Sequence, residues 1–240
     1  MAGRAARAEL SKRRALPSSP AQLGTGLSGR RTRVKICGCQ SAADVAQAVD
    51  AGADAIGLIF APSPRQVSVG QAAASAAAAP AEVTVVGVFV EPSEAELEQA
   101  FRALPRMVPQ FSGSESPGLC RHLGVPYLKV FPVSNQPSRS GNGLRADLER
   151  FPEALPVFET ASAQRGGSGH AFDWSRVRTL TALRPSVISG GLSPTNVGDC
   201  VRLLRPYAVD VRSGVESGAN KDPAKLRAFI QAVRSADATT

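Results

Sequence analysis

No stretch of this 240-residue chain approaches the roughly 20 consecutive apolar residues of a membrane span. The alanine run "QAAASAAAAPAEV" is too short and too weakly hydrophobic to count as one. Cysteine is scarce: Cys37, Cys39, Cys120 and Cys200 are all there are. The Cys37-x-Cys39 pair is followed by no second Cys/His pair at ligand spacing, and His122 and His170 stand apart from it, so a metal site is not expected. The tail has no apolar core of the kind a secretory signal carries, which argues against both export and disulfides. Also absent are an arginine–aromatic stripe and zinc-finger spacing, the marks of a nucleic-acid binder.

The net charge of +8 needs locating before it is interpreted. Residues 1–32 hold Arg4, Arg7, Lys12, Arg13, Arg14, Arg30 and Arg31 against Glu9 alone. Six of the eight net positive charges therefore belong to this segment, and two remain for the body. Such a composition is expected to form a disordered extension, with an organelle transit peptide as the alternative. The body, residues 33–240, is expected to be one cytoplasmic domain of the right size for an α/β barrel.

What is present is alternation. The apolar runs "RVKIC", "DAIGLIF", "VTVVGVFV", "RMVPQF", "PYLKV", "LPVFE", "PSVISG" and "YAVDV" are separated by amphipathic helical segments. "SAAD" and "SEAE" read as capping boxes, while "SP" before Thr195 and "DP" before Ala224 read as N-caps ahead of an N1 proline. Strand–helix repetition on this scale predicts a (β/α)₈ TIM barrel. A doubly wound open sheet is the alternative, but "CGCQS" stands where its G-x-G-x-x-G turn would follow the first strand.

In such a barrel, function collects at the C-terminal strand ends. The turns "ISGGLSPTNV" and "VDVRSGVE" put Gly190, Gly191, Ser213 and Gly214 after strands seven and eight, where backbone N–H groups can meet a phosphate. Strand alternation sends Val34 and Ile36 toward the helices and Lys35 and Cys37 into the barrel. On strand eight the same parity sends Asp210 inward, beside Lys35. That pair is either a structural bridge in the barrel floor or a support for catalysis. Cys39, past the strand end, is expected to be incidental, and Cys120 and Cys200 to be buried structural thiols.

The ordered motifs "VKICG", "AGADAIGLIFAPSPRQVS", "GVFV", "VPQFSG", "GGSGHAFDW", "ISGGLSPTNV" and "AVDVRSGVE" closely resemble the phosphoribosylanthranilate isomerase family of tryptophan biosynthesis. The resemblance runs from Val34 to the C-terminal helix. It implies an aldose–ketose isomerase acting without cofactor on a small phosphosugar substrate, as a monomer or homodimer. Cys37 would be the general base and Glu159, in place of the family aspartate, the general acid. Arg65 would meet the substrate carboxylate, with Lys35 and Asp210 in the same pocket. Asp173 is expected to be a helix N-cap rather than the acid. The chain departs from the family pattern at three places: Glu159 for Asp, Ser112 for His, and Arg212 for a smaller residue. Those changes leave two alternatives, an isomerase of a related aminated phosphosugar and an inactive phosphosugar-binding barrel.

Overall fold

The eight apolar runs become eight parallel strands in a computed structural model that describes residues 31–135, 141–161 and 171–239. They are β1 (Arg33–Cys37), β2 (Ala55–Ile59), β3 (Thr84–Phe89), β4 (Val108–Phe111), β5 (Leu128–Val133), β6 (Leu155–Thr160), β7 (Val187–Ser189) and β8 (Ala208–Val211). Each pairs with its sequence neighbour, and β8 returns to β1, so the sheet closes on itself. Helices α1 (Ala42–Ala51), α2 (Val69–Ala76), α3 (Glu94–Ala103) and α4 (Pro117–Cys120) follow the first four strands. Helices α5 (Gly141–Glu149), α6 (Arg178–Leu183), α7 (Val197–Leu204) and α8 (Pro223–Ala238) follow the others. The open-sheet alternative is excluded by this closure.

Local chemistry starts most of these helices. Ser41 accepts from the Asp44 amide while the Asp44 carboxylate accepts from the Ser41 amide, and Ser93 and Glu96 repeat the arrangement. Asp222 caps α8 ahead of Pro223. The "SP" reading for α7 is corrected: α7 begins at Val197, and Ser193 and Pro194 belong to a preceding turn. Asn196 does not cap α7 with its side chain; it donates to the Gly191 carbonyl at 2.8 Å and accepts from the Ser193 amide instead. The helix start gives way to holding the turn after β7 in shape.

Strand parity sorts the core into two layers. Val34, Ile36, Phe111, Phe131, Phe158, Ile188 and Val209 face the helices and form the large outer cluster. Inside the barrel, Leu128, Val130, Leu155, Val157, Val187 and Ala208 fill the lower part. Above them stand Cys37, Ile59, Val86 and Val88, nearer the C-terminal mouth. Gly57, facing Cys37 across the β1–β2 pair, has no room for a side chain: a Cβ there would lie 2.7 Å from the Cys37 Sγ.

The barrel also reaches two residues further back than the sequence boundary. Thr32 is buried, and its amide and hydroxyl each donate to the Asp237 carboxylate at 2.8 Å. Arg31 pairs with Asp54, which also accepts from the Val34 amide at 2.9 Å. The expected extension is thus corrected at residues 31 and 32, and its residues 1–30 lie outside the described residues. A chain lacking residues 1–32 should unfold below one lacking residues 1–30. Loss of these hydrogen bonds is worth about 1–3 kcal/mol, or roughly 2–4 °C per kcal/mol in a chain of this size. Thermal unfolding of both truncations, with Asp237→Ala in the longer one, checks this; equal midpoints would show that the tie adds no stability.

Candidate active site

The inward-facing residues at the strand tops surround a cavity of about 470 Å³ at the C-terminal mouth. Cys37, Ile59, Val88, Gln110, Glu159 and Asp210 all enter its wall, as strand parity requires. A volume of that order suits a ligand of small-molecule size. Cys37 from β1 and Glu159 from β6 therefore face one space, with β7 and β8 between them on the shorter way round.

Lys35 lies beneath the cavity floor rather than in its wall. Its Nζ donates to Asp210 Oδ2 at 2.9 Å across the β1–β8 seam, and both side chains are buried. Ser189 Oγ approaches the same Oδ2 at 3.4 Å. The other oxygen, Oδ1, is buried with no hydrogen-bond partner among the described residues, and so is Gln110 Oε1. These are unspent acceptors in the cavity wall.

The two titratable groups are tuned in the same direction. Burial pushes the Glu159 carboxyl above its ordinary range, and the Asp210 charge adds to this against the pull of Lys35 and Arg212. Its carboxyl makes no hydrogen bond among the described residues. Burial also pushes the Cys37 thiol up, with Asp210 opposing Lys35 and Lys221. The chemistry of a thiolate base calls for a lowered value, so here burial runs against the requirement. Cys39 is a core thiol pushed to about 12 by burial, and Cys120 and Cys200 are likewise buried.

Arg65 stands in the loop after β2, beside Gly38 at the barrel mouth. Its guanidinium grips Glu216, Nη2 to Oε2 at 3.0 Å and Nε to Oε1 at 3.3 Å. Its remaining bonds go to the carbonyls of Pro64 and Gly218. Glu216 begins a small hairpin of β9 (Glu216–Ser217) and β10 (Asn220–Lys221). From β10, Lys221 Nζ donates to the Cys37 carbonyl at 2.6 Å and to Glu216 Oε1 at 2.8 Å. The hairpin thus straps the end of β1 to the loop after β2.

A second unforeseen device holds the opposite rim. Glu115 is fully buried and accepts from Lys129 Nζ at 3.0 Å and from the amides of Glu91 and Gly113 at 2.9 Å. It fixes the loop in which Ser112, Gly113 and Ser114 line the cavity. A readable signal existed, because a lysine at an outward position of a buried strand demands a buried partner. Lys221 and Glu216, in a short polar hairpin, carry no such signal.

The glycine turns are assembled as expected, with one difference. Gly190, Gly191 and Ser213 line the cavity, and Gly214 does not. Gly190 has φ +87°, and a Cβ there would lie 2.6 Å from the Thr160 amide nitrogen. Gly214 instead lets the two turns touch, since a Cβ on it would lie 2.0 Å from the Leu192 carbonyl oxygen. Asp173 accepts from the Ser175 amide and hydroxyl as an N-cap, as read from the sequence. In "GGSGHAFDW", Gly166 to His170 lie outside the described residues.

A closed barrel with a thiol, an acid and paired glycine turns at its C-terminal mouth is the arrangement of a (β/α)₈-barrel enzyme. The family model for N-(5′-phosphoribosyl)anthranilate isomerase matches residues 34–232, and the chain belongs to that family. The N-(5′-phosphoribosyl)anthranilate isomerase of Pseudomonas fluorescens (strain SBW25) is 44% identical over 207 residues, covering 85% of this chain and 96% of that protein. The crystal structure of phosphoribosyl anthranilate isomerase from Thermotoga maritima superposes with a TM-score of 0.77 at 33% identity, over 85% of this chain and 99% of that one. Another, at TM-score 0.74 and 31% identity over 85% and 99% of the two chains, is of phosphoribosyl anthranilate isomerase with reduced 1-(o-carboxyphenylamino)-1-deoxyribulose 5-phosphate.

The raised carboxyl has a consequence for stability. Glu159 holds its proton more tightly folded than unfolded, so the wild type loses stability as pH rises from the unfolded value of about 4.3 through the folded one. Glu159→Gln carries no such penalty. In urea titrations from pH 4 to pH 8, its advantage should be absent at the acid end, grow through that window and then level off. Parallel curves for the two proteins would mean that the carboxylate is as well solvated in the barrel as in the unfolded chain.

Proposed function

We propose that this chain isomerises N-(5′-phosphoribosyl)anthranilate to 1-(2-carboxyphenylamino)-1-deoxyribulose 5-phosphate, an Amadori rearrangement in tryptophan biosynthesis. The observation that carries it is the convergence of Cys37 and Glu159 on one cavity that also meets the glycine turns after β7 and β8. Cys37 is the general base, Glu159 the general acid, and the N–H groups around Gly190, Gly191 and Ser213 receive the phosphate.

The reaction needs both groups in turn. Glu159 delivers a proton to the ribose ring oxygen as the C1′–O bond breaks, and the anilino nitrogen lone pair forms the C1′=N⁺ bond. The Cys37 thiolate takes the C2′ proton, whose bonding electrons form C1′=C2′ and return the nitrogen its lone pair. Ketonisation of the resulting enol places a proton on C1′ and removes one from the C2′ hydroxyl, so the whole is an isomerisation with no net proton change. Asp210 Oδ1, an unspent acceptor in the wall, would receive a substrate O–H or N–H. Every group assigned here comes from one chain, so a monomer or a homodimer would serve.

Growth of a tryptophan auxotroph lacking this isomerase tests the assignment, with Cys37→Ala as the control. Rescue by the wild type and none by the variant is expected; failure of the wild type would turn the reading toward a related phosphosugar or a binding barrel. In the purified enzyme, Cys37→Ala and Glu159→Gln should each lower kcat about 10²–10⁴-fold, as loss of a general base or acid does. KM should move much less, because ground-state contacts remain. Glu159→Asp shortens the reach by one methylene, and a displacement of about 1 Å can cost about 10²-fold. Full activity of Glu159→Gln would place the acid elsewhere.

A further inference from the structure

The proposed reaction calls for a thiolate at Cys37, and burial opposes one, so fixed charge has to offset it. The groups facing Cys37 can be taken element by element. Lys35 on β1 is paired with Asp210 on β8, one cation against one anion. At the end of β1, the Glu216 carboxylate is shared by Lys221 and by Arg65 of the loop after β2. Two cations against one anion leave that triad with one net positive charge. Glu159 and Arg212 face the same cavity from β6 and the end of β8, and Cys39 is a neutral core thiol.

Lys221 is bonded to the backbone of Cys37 itself. Its Nζ donates to the Cys37 carbonyl at 2.6 Å and to Glu216 Oε1 at 2.8 Å, and its side chain is 1% exposed. Both acceptors belong to the protein, so this ammonium is committed to the end of β1 before any ligand arrives. The hairpin that carries it is tied down in turn. The Asp222 amide donates to the Val215 carbonyl at 2.9 Å, and Lys225 Nζ donates to the Glu216 carbonyl at 2.7 Å. Just past Cys37, the amides of Gly38 and Cys39 both donate to the Gly57 carbonyl, at 2.9 and 3.0 Å. Cys37 is therefore gripped at its carbonyl by Lys221 and, through the next two amides, by β2. An ammonium shielded from water acts on a neighbouring charge far more strongly than one in solvent.

We propose that Lys221 is a positioning residue for the Cys37 base: its ammonium fixes the end of β1 through the Cys37 carbonyl and holds net positive charge beside the thiolate. Glu216 sets how much of that charge the sulfur feels. Lys35 does not fill this role by itself, because Asp210 matches its charge one for one, whereas Glu216 divides its charge between Lys221 and Arg65. The link to turnover rests on the isomerase reading; the link to the thiol does not.

The test reads the thiolate without substrate, as the rate of Cys37 alkylation by iodoacetamide against pH, localised to Cys37 by fragment masses. Lys221→Met should move the profile to higher pH and slow alkylation about tenfold at neutral pH, as loss of a neighbouring opposite charge does. Glu216→Gln removes the anion but keeps a carbonyl acceptor, and should move the profile to lower pH. Opposite signs are the signature of charge, because two variants that merely loosened the hairpin would move the profile the same way. In turnover, Lys221→Met should lower kcat by about tenfold as the thiolate is lost, with KM within about twofold because ground-state contacts remain. A profile unmoved by Lys221→Met, or moved alike by both variants, would overturn the proposal, as would a shifted profile with unchanged kcat. Should Lys221→Met fail to fold, Glu216→Gln still decides, since a shift to higher pH or none would overturn it. If the wild type does not isomerise the substrate, the isomerase reading fails, while the two profiles still decide what Lys221 does to the thiol.

Discussion

The ion pair of Lys35 with Asp210 sits at the seam where the barrel closes, and the chemistry of the mouth is arranged around it. The two residues are register partners on β1 and β8, 2.9 Å apart and buried. Placing two ions out of water costs several kcal/mol each before their attraction returns any of it. Such a pair is weak as a stabilising device, yet removing one partner would cost about 3–5 kcal/mol. Its effect on charge is more direct. Burial alone would lower the Lys35 pKa, but Asp210 and Cys37 outweigh it and the net shift is upward. The ammonium thus stays charged beneath the thiol, and its contribution to stability is lost only when pH rises through that raised value. The pair also leaves Asp210 Oδ1 unspent in the cavity wall.

From that seam outward, the mouth is held by long side chains that cross between loops. Lys221 reaches the carbonyl of Cys37, Glu216 joins Lys221 to Arg65, and Arg65 anchors the loop after β2. Across the barrel, Lys129 and Glu115 hold the loop after β4 from the outer layer. Both networks join a buried carboxylate to a buried lysine, and both spend most of their hydrogen bonds on loops that line or border the cavity. Rigidity at the rim comes from charge placed under the loops, while the cavity wall keeps few paired groups of its own.

The parts of this arrangement that follow from period and parity could be read directly. Eight apolar runs with helical segments between them specify the barrel, and a period of two puts Cys37, Lys35 and Asp210 inside. The glycine turns were readable because glycine has a positional meaning at strand ends. The grip of Arg65 on Glu216 was not, because it depends on several side-chain torsions and on a partner 151 positions away in the chain. The α7 start was misread for a related reason: Asn196 spends its amide on the Gly191 carbonyl rather than on a cap. Backbone pattern is local information; the destination of a long polar side chain is not.

The pair of raised pKa values shapes how the proposed chemistry would run. Catalysis by Cys37 and Glu159 requires the thiolate together with the protonated carboxyl. Burial pushes both the carboxyl and the thiol up. Raising the carboxyl favours that reactive form, and raising the thiol disfavours it. The Lys35 and Lys221 charges, which pull the thiol down, therefore act in the direction of catalysis, while Asp210 raises both groups, which helps the acid and hinders the base. A bell-shaped profile from such a site has the same form whichever group titrates first, because the two macroscopic steps belong to the pair. The limbs gain an assignment only when each group is removed in turn.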